Sequence, residues 1–134
     1  MVLSDLGQLE RPEHPDRYLA ESRYYAQNDQ WTRADEVCAA GLVLHPQHPE
    51  LHFLRGMVQT RTSGADGAQA AYLRSLELRP GDRRVLEELA ALYAGDTPPK
   101  GADPAREVLR QAAERWPEEP RFRAALDVMD SRDG

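Results

Sequence analysis

The chain has 134 residues, enough for one ordinary domain and too few for two independent cores. Apolar residues make up 40% of it and charged residues 30%, a globular rather than disordered balance, and no apolar run is long enough to cross a membrane. Seventeen basic residues against 23 acidic ones give a net charge of −6 with no basic block, which argues against a sequence-independent grip on nucleic acid.

Residues 1–14 carry no pattern comparable with that of residues 15–131 and read as a tail. They lack the basic start and apolar stretch of a secretory signal, and Cys38 is the single cysteine, so the expectation is a reducing, cytoplasmic setting. Isoleucine is absent and Lys100 is the one lysine among the basic residues, a bias expected of a GC-rich bacterial genome.

A first helix is predicted over 15–27, with His14 just before it and Pro15 suited to a first turn, where a missing amide hydrogen costs nothing. Asn28 and Asp29 then form a turn, and 34–46 reads as a second helix ended by Pro46. The pattern returns: a helix over 49–62 behind His48 and Pro49, a turn at Ser63 and Gly64, and a helix over 68–80 ended by Pro80. A third passage has Asp82 as N-cap, a helix over 83–94, a turn at Gly95 and Asp96, and a helix over 105–117. A last helix over 120–131 places Phe122, Ala125, Leu126 and Met129 on one face.

These passages are one repeat. Displaced by 34, residues 34–46 (ADEVCAAGLVLHP) fall on 68–80 (AQAAYLRSLELRP), and displaced by a further 37 on 105–117 (AREVLRQAAERWP). Ala34, Ala68 and Ala105 correspond, as do Cys38, Tyr72 and Leu109, then Gly41, Ser75 and Ala112. Helix, tight turn, helix and proline at this period describe a solenoid of helical hairpins. The small residues predict close helix contacts.

The pattern resembles the tetratricopeptide repeat, W-x2-L-G-x2-Y, then A-x3-F, then P. The third repeat offers Leu86, Leu89, Ala90 and Tyr93 at the first four places, the first Tyr18, Glu21, Ser22 and Tyr25, and the second His52, Arg55, Gly56 and Gln59. Trp31 fits the aromatic often found just before the alanine. The resemblance implies an all-α α-α superhelix of three repeats (15–48, 49–82 and 83–119), with 120–134 as a capping helix and chain end. It also implies that Tyr25 is buried and that Cys38 fills a place usually held by a buried aromatic.

Several constellations favour bland readings. His45, His48 and His52 are separated by Pro46 and Pro49 and do not share a helical face, so a solvated turn is expected rather than a metal site. Cys38 has no basic group near it in sequence to activate it. Tyr24 and Tyr25 are adjacent on a helix and point apart, so they make no stacking platform. Residues 95–104 (GDTPPKGADP) lack the spacing of a phosphate-binding loop and read as a proline-stiffened insertion. No catalytic motif or cofactor fingerprint occurs, and none is expected.

The implied function is non-enzymatic: an interaction module or scaffold that binds a partner peptide or helix in a groove lined by the first helices. Carried over by place in the repeat, that groove comprises Asp16, Leu19, Arg23 and Gln27, then Glu50, Phe53, Met57, Thr60 and Arg61, then Arg84, Glu87 and Ala91. Phe53 and Met57 are expected to form an apolar floor with Arg23, Arg61 and Arg84 around it, suited to a segment with apolar and acidic side chains. In the branch of the family that clamps a chaperone's C-terminal carboxylate, the matching places hold Leu19, Arg23, Leu54, Arg84 and Glu88 here; only Arg84 is kept in kind. The alternative is self-assembly into a homo-oligomer through the solenoid ends or the groove.

Overall fold

The computed structural model describes residues 14–101 and 103–133. Among them all regular structure is helical: α1 (Pro15–Gln27), α2 (Trp31–Leu44), α3 (Pro49–Gln59), α4 (Ala65–Leu78), α5 (Arg83–Leu92), α6 (Asp103–Arg115) and α7 (Pro120–Asp133). Residues 1–13 of the expected tail lie outside this description.

The first helices begin where their sequences demand. His14 Nδ1 accepts from Asp16 N at 3.1 Å, His48 Nδ1 from Leu51 N at 3.2 Å, and Asp82 Oδ1 from Arg84 N at 3.1 Å. Each bond satisfies one of the amides that a helix start leaves open. A histidine does this only with an unprotonated ring nitrogen. Two ends fall short of expectation. Helix α3 stops at Gln59 instead of reaching Thr62, because the amides of Thr62, Ser63 and Gly64 all turn to the Gln59 carbonyl, at 3.2, 3.0 and 2.8 Å. The chain leaves through Gly64 at φ +88°, where a side chain would be strained. Helix α5 ends at Leu92 rather than Ala94, tightening as Tyr93 N and Ala94 N bond to Ala90 O and Ala91 O at 3.0 and 3.1 Å.

Consecutive helices pack on one another across short turns, and α1 also meets α3, α4 meets α6, and α5 meets α7. Four of the places matched by the internal repeat are buried in all three copies: Ala34, Ala68 and Ala105; Cys38, Tyr72 and Leu109; Gly41, Ser75 and Ala112; Leu42, Leu76 and Ala113. The facing place on the first helices holds Ser22, Gly56 and Ala90, also buried. At Gly56 the reason is steric, since a Cβ there would stand 2.4 Å from the Tyr72 ring. At Ser22 it is polar: the hydroxyl donates to Ala34 O at 2.9 Å and lies 3.0 Å from Cys38 Sγ.

The core has two parts. Leu19, Ala34, Cys38, Leu42, Leu51, Leu54 and Val58 form one, between α1, α2 and α3. The larger one runs from Phe53 through α4, α5 and α6 to Phe122, Ala125, Leu126 and Met129 of α7. Helix α3 faces both, which explains the wide apolar arc of its sequence. Leu51, Leu54 and Val58 point to one cluster, Phe53 to the other, and Met57 touches both.

Candidate interaction face

Helices α1, α3 and α5 bring two of the predicted groove residues, Arg23 and Arg84, against a third, Glu50, in the first turn of α3. Arg23 Nη2 of α1 lies 3.5 Å from Glu50 Oε2, and Arg84 Nη2 of α5 lies 3.0 Å from Glu50 Oε1. Arg79, just beyond α4, reaches Glu50 Oε1 at 3.4 Å and Asp82 at 3.7 Å. Arg84 also binds Asp82, at 2.9 Å between Nη2 and Oδ2. The Arg84 hydrogen bonds are the main reason both carboxyl groups are held below their ordinary range. Arg79 and Asp82 were not among the predicted site residues. A charge hub closed across a turn has no local sequence signal, although Asp82 was legible as a cap.

The apolar floor is not open as expected. Phe53 is only 6% exposed: its ring packs 6.0 Å from that of Tyr72, and the Arg84 guanidinium covers it at 5.0 Å. The assignment by place in the repeat fails here because α3 has packing partners on two sides, so its second apolar stripe is core as well. Leu19 is likewise buried, and Met57 is half-buried. Arg61 is not beside Arg84; it lies 5.0 Å over the Trp31 ring at the start of α2. Gln27 and Thr60 are exposed, Thr60 donating to Met57 O at 2.7 Å. Glu87 is held by Arg83 Nε at 2.7 Å and meets Arg121 of α7 at 3.5 Å. Because Glu50 and Asp82 already engage Arg23, Arg79 and Arg84, the positive field expected to draw an acidic ligand is largely neutralised within the hub.

Two open clefts flank Ala91, on the exposed side of α5. One, between α5 and α7, is lined by Ala90, Ala91, Tyr93, Ala94, Ala124, Ala125 and Val128, with Arg121 at its edge. The other is lined by Thr60, Gly64, Ala65, Glu88, Ala91, Leu92, Gly95, Asp96 and Thr97. Of these lining residues, place in the repeat assigns Thr60 and Ala91 to the groove. The others escape sequence reasoning because clefts between hairpins depend on helix spacing, which a repeat alignment does not give.

The remaining candidates resolve into structural roles. Cys38 is buried, and burial is the chief reason its thiol is pushed up to about 11. Tyr25 is half-buried rather than buried, with the Arg33 guanidinium 5.3 Å over its ring. Tyr24 meets it edge-on at 5.5 Å and 69°, which is no platform. His52 Nε2 lies 2.8 Å from Pro46 O while His48 caps α3, and among the described residues no group of His, Cys, Asp and Glu is placed to hold a metal ion. Residues 95–101 are fastened to the body: Lys100 N donates to Asp66 at 2.7 Å, Tyr93 and Gln69 reach Gly101 O, and Arg132 of α7 holds Pro99 O. No described helix is long and apolar enough to cross a membrane.

No protein-family model matches the chain, and no curated protein matches it significantly. Fold and face therefore define a class only: an all-α protein of consecutively packed helices with a mixed-charge face on α1, α3 and α5.

Proposed function

We propose that the protein is a tetratricopeptide-like α-helical solenoid that acts, without catalysing a reaction, as an interaction module or scaffold for another protein in the bacterial cytoplasm. Its partner is a peptide or helix laid along the face of α1, α3 and α5, and α7 serves as the terminal cap. The observation that carries this reading is the pair of clefts on either side of Ala91, where that face ends on α5. Burial of the same four places in all three copies of the internal repeat, those of Ala34, Cys38, Gly41 and Leu42, supports the solenoid. The test is capture from lysate by immobilised wild type, by an Ala91→Arg and Gln27→Glu variant of this face, and by an Arg110→Glu control on α6. The expected result is one protein held by wild type and control and lost with the face variant. Equal capture by all three would move the binding surface elsewhere.

Self-assembly is the second reading. It is favoured by Val43 and Leu44, 79% and 51% exposed at the end of α2. Light scattering across a dilution series, on wild type and Val43→Ser, would give a mass above one chain that falls in the variant if copies meet there.

A further inference from the structure

We infer that the partner segment presents an apolar side chain to the α5–α7 cleft and a lysine or arginine to the neighbouring cleft at Glu88 and Asp96; this rests on the binding reading above and adds the chemistry of the ligand. The two clefts share Ala91 as a common wall, so one short segment crossing α5 there reaches both. The first cleft is walled by Ala91, Ala94, Ala124 and Val128, which offer no hydrogen-bonding side chain and leave room above them. An aliphatic or aromatic side chain is the group that gains from filling it.

Charge sets the second requirement. Glu88 and Asp96 are both exposed, and neither stands at ion-pair distance from a basic side chain among the described residues. Arg121, on this side, is bound to Glu119 at 2.8 Å, meets Glu87 at 3.5 Å and also feels the charge of Glu88 without reaching ion-pair distance. At the opposite end of α5, Arg84 is matched by Glu50 and Asp82. The face therefore offers two carboxylates without an ion-pair partner next to an apolar slot, and complementarity selects a basic neighbour to an apolar anchor.

The test is selection of a displayed library of random dodecapeptides on the full chain. Selected peptides are then measured against wild type, Glu88→Gln with Asp96→Asn, Ala124→Leu and Arg110→Glu, each checked for an unchanged helical spectrum. The expected enrichment is lysine or arginine within a few residues of a large apolar side chain. Binding should weaken about two- to fivefold in the neutralised variant, the range of exposed ion pairs. It should weaken about tenfold in Ala124→Leu, which fills the slot an anchor needs, and stay within twofold of wild type in Arg110→Glu, on α6 away from the face. Peptides enriched in acidic residues, or basic peptides indifferent to the Glu88, Asp96 and Ala124 changes, overturn the inference while leaving the binding face in place. Failure to enrich any sequence over an unrelated helical protein overturns the inference and the binding reading together.

Discussion

The hairpins α1–α2 and α3–α4 solve one packing problem with opposite chemistries. Where their helices come closest, the first sets Ser22 against Cys38, two small polar groups 3.0 Å apart. The second sets Gly56 against Tyr72, with no space for a side chain on the glycine. The comparison shows that neither residue type is fixed at these places: a large ring stands where the facing residue is glycine, and a hydroxyl where the facing side chain is a small thiol. In a close-packed interior each choice constrains the other, because a methylene too many or too few at a fixed helix spacing is felt directly.

The largest effect should come from tightening the second hairpin. Gly56→Ala places a methyl 2.4 Å from the Tyr72 ring, buried on all sides, and overpacking of this kind costs about 1–3 kcal/mol or more. The urea midpoint of Gly56→Ala should fall accordingly, and an unchanged midpoint would show that the Tyr72 ring does not stand against the glycine.

A smaller effect is expected in the first hairpin. Ser22→Ala removes a buried hydroxyl that donates to Ala34 O and adjoins Cys38, a loss of about 1 kcal/mol. The thiol reports on the same contact. With Cys38 buried and its pKa near 11, a thiol reagent at neutral pH should react only as fast as the hairpin opens, and faster in Ser22→Ala. Immediate labelling of the folded wild type would contradict the packing.

The smallest effect is pH-dependent and separates the starts of α3 and α5. Burial first, and His45 second, hold the His48 pKa below its ordinary value. As pH falls, the unfolded chain takes up this proton before the folded one. The stabilising contribution of neutral His48 is therefore complete above the ordinary histidine value of about 6.5 and is lost as pH falls through the lower folded value. Asp82, at the start of α5, is shifted down by Arg84, so its contribution fails only at lower pH, once the carboxyl is protonated. His48→Asn keeps a capping acceptor without a proton to titrate. Thermal midpoints of this variant should lose part of the wild-type decline between about pH 7 and pH 5, the window set by the histidine value. An unchanged decline would remove His48 as its source.

Much of the fold is legible because helix periodicity, turn residues and proline stops are local signals. The buried alanines at 34, 68 and 105 and the four apolar residues of α7 follow from spacing alone. The site is less legible for two physical reasons. Phe53 lies on an exposed-looking arc of α3 only if that helix packs on one side, and it packs on two. The charge hub at Glu50 draws on Arg23 from one hairpin and on Arg79 and Arg84 from the far side of another, and its pairing emerges only when the three helices are side by side. The clefts beside Ala91 depend on the spacing of α5 from α7 and from the α3–α4 turn, which no single repeat encodes.

The account stands most directly on the contact between Gly56 and Tyr72, and a double-mutant cycle measures it. Gly56→Ala, Tyr72→Leu and the double variant should each be unfolded in urea beside wild type. Tyr72→Leu alone opens a cavity and is destabilising, as is Gly56→Ala alone, but the added methyl occupies the space that the ring vacates. The predicted result is a double variant more stable than the sum of the single losses by about 1–3 kcal/mol, the coupling expected of residues in direct contact. Losses that simply add would show that the two places do not meet, and the mutual constraint between facing residues of the hairpin would fall with them.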